Sequence, residues 1–346
     1  RSYPIERKAT AGYWAKQENA PGLQFIDRSH FPYYYSFVQH GIFFVSWDAS
    51  SPDITEENLA WLAEQFEKPE AKSAKLRFVI GHMPLYSVAQ ERDSKGNVLN
   101  NPERLRQLLQ QYKVHTYISG HHHAYYPGKR GGLELLNAGA AGSGARGWLT
   151  LDEPPMNTIT IMDIFLEQDS IAYTTYDIKH RDSREMALFD DQKLPKAIFG
   201  VNGYLVHRDV RTGGKAEGVL SGLHTGKTLN TKGTGAVQAQ IKNGKLLIDG
   251  TFRDLEGKLP KEGIAIGVYQ GRNTEPGELR YTLKAKPKNG KKGRFNGVFE
   301  LTDDTAELLA VGALHVQLNT DQQPEGALRA QLYPLSNQAP AAPVFT

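Results

Sequence analysis

The sequence predicts an α/β part followed by an all-β part. The chain has 346 residues, enough for two domains that each bury a core. Up to about residue 180, apolar runs typical of strands alternate with stripes at helical spacing. From residue 201, short alternating stretches recur between Gly, Asn, Asp and Pro, with Asn243-Gly244 the clearest hairpin signal. Such regular strands are typical of a β-sandwich or a closed barrel, and we assign residues 201–335 to a sandwich.

Composition excludes several classes of protein. The net charge is +3, from 41 basic and 38 acidic residues, which argues against a dedicated nucleic-acid binder. There is no cysteine, so a metal would be held by His, Asp, Glu or Asn, a donor set that suits Zn, Fe or Mn. No apolar run approaches the ~20 residues of a membrane span. The lysines of residues 284–292 predict a solvated hairpin loop, the alternative being contact with an anionic surface.

The first elements are two strands and a helix. Residues 1–32 predict an irregular covering loop, and residues 33–47 predict two short strands. Asp53 and Glu56 have the spacing of a capping box at a helix start. An apolar stripe follows at helical spacing, formed by Leu59, Leu62, Ala63 and Phe66. We interpret this helix as packing only.

The next elements alternate between strand and helix. Residues 75–80 predict a strand, and residues 88–100 a charged surface loop or, alternatively, a lid over substrate. Asn101 followed by Pro102 predicts the start of a second helix.

The α/β part ends in further strands. Residues 133–141 predict one strand, and residues 158–166 and 171–178 an antiparallel pair that closes the sheet. Asp163 interrupts that pair and would need a partner if it were buried. We expect a charged linker at residues 181–200 and a disordered tail at residues 336–346.

Two strand–glycine–histidine junctions stand out. The apolar residues 114–118 lead into Gly120-His121-His122-His123, and residues 76–80 end in Gly81-His82. In a β-α-β unit with parallel strands, both junctions emerge at the same sheet edge. Sites of α/β sheets are built at that edge. We therefore expect His82 to meet the histidine triplet.

The spacing of the three consecutive histidines predicts which of their side chains face the same site. In an extended segment, side chains two residues apart point the same way, so His121 and His123 are expected to converge while His122 faces elsewhere. Imidazole is the commonest metal ligand near neutral pH. Each junction alone is typical of a turn or a solvated loop, whereas the two together predict a metal site of His82, His121 and His123.

These residues carry a family resemblance. Gly81-His82-Met83-Pro84 and Gly120-His121-His122-His123 resemble the last two metal motifs of the calcineurin-like metallophosphoesterases. In particular, Val79-Ile80-Gly81-His82 resembles the VxxH signature of purple acid phosphatases, and the histidine triplet resembles their GHxH signature. The surrounding residues agree with that family's strand pair, helix and glycine-rich strand, at residues 33–48, 59–62 and 136–142. The resemblance implies that residues 1–180 are the C-terminal half of such a domain, a partial four-layer α/β/β/α fold.

The resemblance also implies a mechanism. His82 and His121 would ligate one metal ion and His123 a second, the pair being divalent or mixed-valence ions of Fe, Zn or Mn. Such a dinuclear site hydrolyses phosphate esters by lowering the pKa of a bound water. His122 and Tyr125 lie beside the ligands in the sequence, where they would touch substrate or orient the imidazoles.

Part of the family's ligand set is absent. The DxH, GDxxD or GDxxY, and GNHD/E segments have no counterpart in the sequence, and the early pair Asp27 and His30 does not fit them. We therefore expect the missing Asp, Asn and His ligands to come from an upstream N-terminal segment or a partner chain. Residues 1–346 alone are expected to be inactive, although three histidines would suffice for one zinc ion with an open position.

A second class of function remains open. The protein would then be an extracellular structural or adhesive component, with the phosphoesterase-like half as an inactive scaffold. In either case we expect an extracellular or periplasmic bacterial protein, without a membrane span and without a nucleic-acid partner.

The β part resembles the chordin-repeat (CHRD) domain. Residues 220–224 look like its opening strand, and residues 314–320 and 324–332 like its closing segment. His224 and His315 are interpreted as structural, the alternative being a second metal pair.

Overall fold

The computed structural model describes residues 22–142, 144–178, 186–272 and 277–335. The chain divides into two compact units, Arg1–Arg208 and Asp209–Thr346. The predicted tail at residues 336–346 lies outside the described residues, as do residues 181–185 of the predicted linker.

The first unit contains twelve strands and three helices in its described part. The strands are β1 Gln24–His30, β2 Tyr34–Gln39, β3 Ile42–Ser46, β4 Leu76–Ile80, β5 Thr116–Ser119, β6 Tyr126–Arg130, β7 Leu133–Asn137, β8 Thr158–Phe165, β9 Ser170–Ile178, β10 Met186–Leu188, β11 Ala197–Gly200 and β12 Gly203–His207. The helices are α1 Glu56–Glu67, α2 Pro69–Ser73 and α3 Pro102–Gln111. Short 3₁₀ turns occur at Leu166–Gln168 and Asp191–Lys193.

Nine of these strands form one mixed sheet, in the order β1-β2-β3-β4-β5-β7-β6-β12-β11. The central pairs β3–β4, β4–β5 and β5–β7 are parallel, and the outer pairs are antiparallel. The strands β8, β9 and β10 form a separate three-stranded sheet. The predicted antiparallel pair of β8 and β9 is confirmed, but it does not close the first sheet. Asp163 on β8 is exposed, so it needs no buried partner.

The helix α1 packs as its stripe predicts. Leu59, Leu62 and Phe66 are buried in the core of the first unit. The helix begins at Glu56, and its cap is Thr55 rather than Asp53, because the Thr55 hydroxyl accepts the Asn58 N–H at 3.1 Å. A threonine cap satisfies a backbone donor that has no partner within the helix.

The predicted covering loop contains a strand. Gln24–His30 pairs with Tyr34–Gln39 at the edge of the mixed sheet. Asp27 on that strand accepts hydrogen bonds from Trp61 Nε1 at 3.3 Å and Gln65 Nε2 at 3.0 Å. Asp27 therefore joins the edge strand to α1 and is not a loop residue.

A salt-bridge cluster joins α3 to the mixed sheet. Glu103 lies 2.7 Å from Arg130 Nη1, accepts a hydrogen bond from Arg106 Nε at 2.8 Å, and accepts one from the Tyr86 hydroxyl at 2.6 Å. Both arginines are about nine-tenths buried, with exposed side-chain fractions of 9% and 10%. The neighbouring charges satisfy groups that would be costly to bury alone.

The boundary between the units lies later than the predicted linker. The hairpin of β11 and β12 extends the mixed sheet through β6, with Val206 opposite Lys129. Residues 197–207 therefore belong to the first unit, although the alternating pattern resembles that of the β part. Local alternation does not tell a strand which of two sheets it will join.

The second unit contains ten strands and one helix in its described part. They are β13 Lys215–Ser221, β14 Thr234–Lys242, β15 Lys245–Arg253, β16 Ile266–Gln270, β17 Glu278–Thr282, β18 Lys284–Lys288, β19 Lys292–Glu300, α4 Asp303–Ala310, β20 Leu314–Leu318, β21 Leu328–Gln331 and β22 Tyr333–Pro334, with a 3₁₀ turn at Gly222–His224. The helix α4 interrupts a region predicted to be all-β.

These ten strands form one antiparallel sheet, not the two packed sheets of the predicted sandwich. Its order is β17-β16-β20-β21-β13-β14-β15-β19-β18, with β22 paired to β13. The edge strands β17 and β18 are consecutive in the chain, and only Leu283 lies between them. Because one residue joins the two edges, the sheet curls nearly into a barrel.

Among the described residues, no helix has the length and apolar character needed to cross a membrane.

Candidate metal-binding site

The two histidine junctions lie side by side at one edge of the mixed sheet. The strands β4 and β5 are parallel, and Ile80 is level with Ile118. The Gly81 N–H donates to the Ile118 carbonyl at 2.9 Å, and the Gly120 N–H donates to the His82 carbonyl at 3.0 Å. Backbone hydrogen bonds therefore fix the first histidine junction against the second.

A buried chain of hydrogen bonds through Trp47 and Tyr117 packs against the backbone at Gly81. Trp47 Nε1 donates to the Tyr117 hydroxyl at 3.3 Å, and that hydroxyl donates to the Met83 carbonyl at 2.8 Å. Burial raises the pKa of Tyr117, which keeps the hydroxyl protonated as a donor. A Cβ at Gly81 would overlap both the Tyr117 hydroxyl and the Trp47 indole nitrogen. Only glycine, which has no Cβ, lets the backbone pass this close to the Tyr117 and Trp47 side chains.

His82 and His121 meet through their ring nitrogens. His82 Nε2 lies 3.1 Å from His121 Nδ1, and the ring centroids are 5.0 Å apart at an interplanar angle of 69°. On its other side, His121 Nε2 lies 3.3 Å from the amide oxygen of Asn97. Because an amide oxygen only accepts, this contact assigns the proton of His121 to Nε2. The lone pair of Nδ1 then faces His82.

The surroundings of His121 favour its neutral form. Burial, followed by the positive charges of His82 and Arg92, lowers the pKa of His121 to about 4. A neutral imidazole is the form that ligates a metal ion. Near neutral pH, this side chain is therefore ready to donate its lone pair.

His123 lies nearby but is oriented differently. Its Nδ1 lies 2.9 Å from the Gly144 carbonyl, so Nδ1 carries the proton and Nε2 keeps a lone pair. Both His121 and His123 have left-handed backbones, with φ of 61° and 54°. The rule for side chains two residues apart applies to extended backbone, so it does not govern this segment. Within the described ranges, no three His, Asp or Glu side chains form a group able to hold a metal ion.

His122 is a structural side chain. It is fully buried, its Nδ1 accepts the Val88 N–H at 3.2 Å, and its Nε2 donates to the Asn97 carbonyl at 2.9 Å. Burial lowers the pKa of His122 to about 4. With both nitrogens bonded to backbone, His122 fixes the loop of residues 88–100 over the junctions and has no free group for substrate.

Tyr125 is bonded to residues later in the first unit. Its hydroxyl donates to Asp191 Oδ2 at 3.1 Å, and its carbonyl accepts a hydrogen bond from Trp148 Nε1 at 2.7 Å. Burial raises the pKa of Tyr125. These contacts connect the triplet to the last segment of the first unit.

The charged loop of residues 88–100, predicted to be a surface loop or alternatively a lid, reaches the histidines through Arg92 and through Asn97, which the sequence did not single out. Asn97 contacts His121, and its amide oxygen also accepts from Arg92 Nη1 at 2.7 Å. The Arg146 N–H donates to the His123 carbonyl at 3.2 Å. In the described part of the chain, the Nε atoms of Arg92 and Arg146 are buried without a hydrogen-bond partner. No local pattern marks these residues, because long-range packing brings them to the site.

The donor set at this edge fits part of the ligand shell of one metal ion. Two nitrogens that each bind a tetrahedral zinc ion at ~2.0–2.1 Å lie about 3.3 Å apart. The separation of 3.1 Å between His82 Nε2 and His121 Nδ1 is close to that value. Imidazole nitrogens suit Zn, Fe and Mn. The described residues do not supply the carboxylate-containing set that two ions would need.

The two histidines of the β part make separate contacts. His315 is buried on β20, where it stacks on Tyr269 with 5.5 Å between ring centroids. His224 lies in the 3₁₀ turn after β13, with Nδ1 3.2 Å from the Val219 carbonyl. Nε2 of His315 is buried and has no partner among the described residues.

Comparison with known proteins gives two matches to family models. The model described as calcineurin-like phosphoesterase matches residues 4–125, and the CHRD domain model matches residues 216–332. No curated protein matches the chain.

Among solved structures, the chain is similar to GAP50, described as the anchor in the inner membrane complex of Plasmodium. The two are 18% identical, and the similarity covers 47% of this chain and 56% of that chain at a TM-score of 0.28. The chain thus spans about half the length of GAP50. At this TM-score, the likeness carries no argument about fold or activity.

Proposed function

Since this chain carries a calcineurin-like phosphoesterase domain followed by a CHRD domain, we propose that it is part of a metal-dependent phosphoesterase. The substrate class is a phosphate ester. The observation that carries the proposal is the facing pair of His82 Nε2 and His121 Nδ1, 3.1 Å apart at the carboxyl ends of β4 and β5.

The residues of this chain would have distinct roles. His82 and His121 would hold one face of a metal ion, with Asn97 Oδ1 fixing the proton of His121 on Nε2. His123 would contribute to a second ion through its Nε2. A bound pair of ions would supply an activated water and would clamp the phosphate oxygens.

Positive charge at the site supports an anionic substrate. The pKa of His121 is lowered first by burial and also by nearby positive charges, among them Arg92 and Arg146, so both guanidinium groups lie within electrostatic range of the histidines. Their buried Nε groups lack hydrogen-bond partners in the described part of the chain. We assign these two arginines to binding the phosphate group.

The remaining ligands belong to the proposal as well. Two facing imidazoles and a third nearby are too few for two ions, and a carboxylate bridge is missing from the described site. We propose that an upstream N-terminal segment or a partner chain supplies the Asp, Asn and His ligands. Residues 1–346 alone are then expected to hydrolyse phosphate esters poorly or not at all.

Metal content of the complete protein tests this proposal. The chain is purified together with the upstream segment or partner chain that the proposal requires, and Fe, Zn and Mn are measured per chain. The variant His82→Ala/His121→Ala is expected to lose metal together with hydrolysis of p-nitrophenyl phosphate. His115→Ala is the matched control, because His115 precedes β5 and contacts Thr116 Oγ1 at 2.7 Å. Equal metal content in all three proteins would contradict the proposal.

A second candidate is an extracellular structural or adhesive protein whose phosphoesterase-like unit is a scaffold. The observation that favours it is the absence, among described residues, of a group of three possible ligands. Under this candidate, the complete protein would contain no stoichiometric metal and would hydrolyse neither mono- nor diester test substrates. The same metal analysis therefore distinguishes the two functions.

A further inference from the structure

The second unit carries a basic groove on the outward side of its sheet. The groove has a volume of about 890 Å³. Its basic residues are Arg253, Lys286, Lys288, Lys292 and Arg294. Among the described residues, its lining includes no carboxylate. Residues 284–292, predicted to be a hairpin loop, instead form the whole of β18, a turn and the first residue of β19.

Strand register arranges these side chains in rows across β14, β15, β19 and β18. Thr251 on β15 is opposite both Ala236 and Arg294, and Arg294 is opposite Lys286. One row therefore crosses all four strands on the exposed face. A second row begins with Thr234 opposite Arg253, and it ends with Lys292 opposite Lys288.

The rows place like charges directly opposite each other. Lys286 faces Arg294, and Lys288 faces Lys292. Opposed like charges destabilise a pair of strands, so this arrangement opposes folding.

A comparison within the same sheet shows how such a pair can be compensated. Lys242 faces Lys245 at the turn between β14 and β15, and there Lys245 forms a salt bridge with Glu300 at 3.1 Å. The groove pairs have no carboxylate among the groove residues. The uncompensated charge points to an anionic ligand.

We propose that this groove binds an anionic polysaccharide, that is, a sugar chain bearing sulfate or uronate groups. The five cations would contact its anionic groups, and the hydroxyls of Thr234 and Thr251, which also line the groove, would bind its sugar hydroxyls. Five cations spread over the three neighbouring strands β15, β19 and β18 match an extended chain better than a single small anion.

The lining distinguishes this ligand from other polyanions. Phe252 is the aromatic residue of the described lining, and it is only 2% exposed. A surface that binds single-stranded nucleic acid offers exposed rings for stacking bases, and this groove does not.

Two double variants of the intact chain test the proposal. Lys286→Ser/Arg294→Ser removes one opposed pair from the groove. Lys242→Ser/Lys245→Ser removes the same charge from the other end of the β14–β15 hairpin and is the matched control. The probes are a heparin octasaccharide, an oligogalacturonate, neutral dextran, polyuridylate and phosphatidylserine vesicles.

We expect the groove variant to bind the sulfated or uronate oligosaccharide about tenfold more weakly. The slope of the logarithm of the binding constant against the logarithm of the salt concentration is expected to be smaller in magnitude by about 2. The control is expected to stay within about twofold of wild type. Thermal unfolding checks that each variant is folded, and removing an opposed pair is not expected to lower the midpoint. Binding of neither oligosaccharide, equal weakening by both variants, or tighter binding of polyuridylate or vesicles would overturn the proposal.

Discussion

His121 and Asn97 are joined through Nε2 and Oδ1, 3.3 Å apart, and this contact turns Nδ1 of His121 toward His82. Asn97 belongs to the loop of residues 88–100, which the sequence predicts to be a surface loop or, alternatively, a lid over substrate, without singling out Asn97. Its carbonyl also accepts a hydrogen bond from the buried His122, so one residue positions two of the three consecutive histidines.

Replacing the Asn97 side chain tests this positioning. Asn97→Ala removes the acceptor for His121 but keeps the backbone carbonyl that holds His122. Because partners of this kind orient ligating imidazoles, we expect affinity for Zn²⁺ to fall about 10–100-fold. Competition with a chromophoric chelator measures the change in the complete protein. Asn100→Ala is the control, since its amide bonds Asp53 instead, and equal affinities for the two variants would contradict the role of Asn97.

The two junction glycines predict opposite responses to a methyl group. Gly81→Ala places a Cβ against the Tyr117 hydroxyl and the Trp47 indole, and overpacking of this kind costs about 1–3 kcal/mol. At Gly120, the nearest atom that a new Cβ would meet outside the adjacent residues is the His82 carbonyl oxygen at 3.9 Å, so Gly120→Ala is expected to be tolerated. The four tryptophans of the chain all precede residue 209. Urea unfolding followed by tryptophan fluorescence therefore reports on the first unit, and a larger loss at Gly120 would refute the prediction.

The salt-bridge cluster around Glu103 predicts a stability effect away from the site. Glu103→Gln leaves Arg106 and Arg130 without their carboxylate. Removing one partner of a buried ion pair lowers the free energy of unfolding by ~3–5 kcal/mol. Because Glu103 is partly exposed, we expect Glu103→Gln to lower it by about 1–3 kcal/mol. Glu56→Gln, which breaks the exposed pair with Arg104, is the control and is expected to leave the urea midpoint unchanged. Similar midpoints for the two variants would show that the cluster does not stabilise the unit.

The buried His315 predicts that the stability of the second unit depends on pH. Burial, followed by the charge of Arg329, lowers its pKa to about 4. Between the unfolded value of about 6.5 and pH 4, the unfolded chain binds a proton that the folded chain excludes. The contribution of His315 to the free energy of unfolding is therefore fully present above pH 6.5. As the pH falls below that value, this contribution decreases by at most about 1.4 kcal/mol per pH unit.

The variant His315→Phe keeps an aromatic ring on Tyr269 and removes the titration. Relative to wild type, the variant is expected to become more stable against unfolding as the pH falls from 8 to 4, because only wild type loses the contribution of His315. Hydrogen exchange of peptides from the second unit measures both proteins at each pH. A constant difference across that range would exclude His315 as the cause.

The sequence by itself determined the elements that carry the site. The apolar runs before Gly81 and Gly120 became the parallel strands β4 and β5, and the stripe on α1 is buried as its spacing predicted. These features follow from local patterns of apolar residues, which a single segment already contains. The family resemblance of both units, to calcineurin-like phosphoesterases and to CHRD domains, was confirmed by the comparisons.

Tertiary structure alone decided how the histidines are oriented and what surrounds them. The left-handed backbones of His121 and His123 replace the extended geometry that alternation assumes, and Asn97 reaches the site from a distant loop. Packing likewise assigned β11 and β12 to the first sheet, where β12 pairs with β6. The physical reason is the same in each case. These contacts join residues far apart in the chain, so their free energy depends on three-dimensional packing that no local pattern encodes.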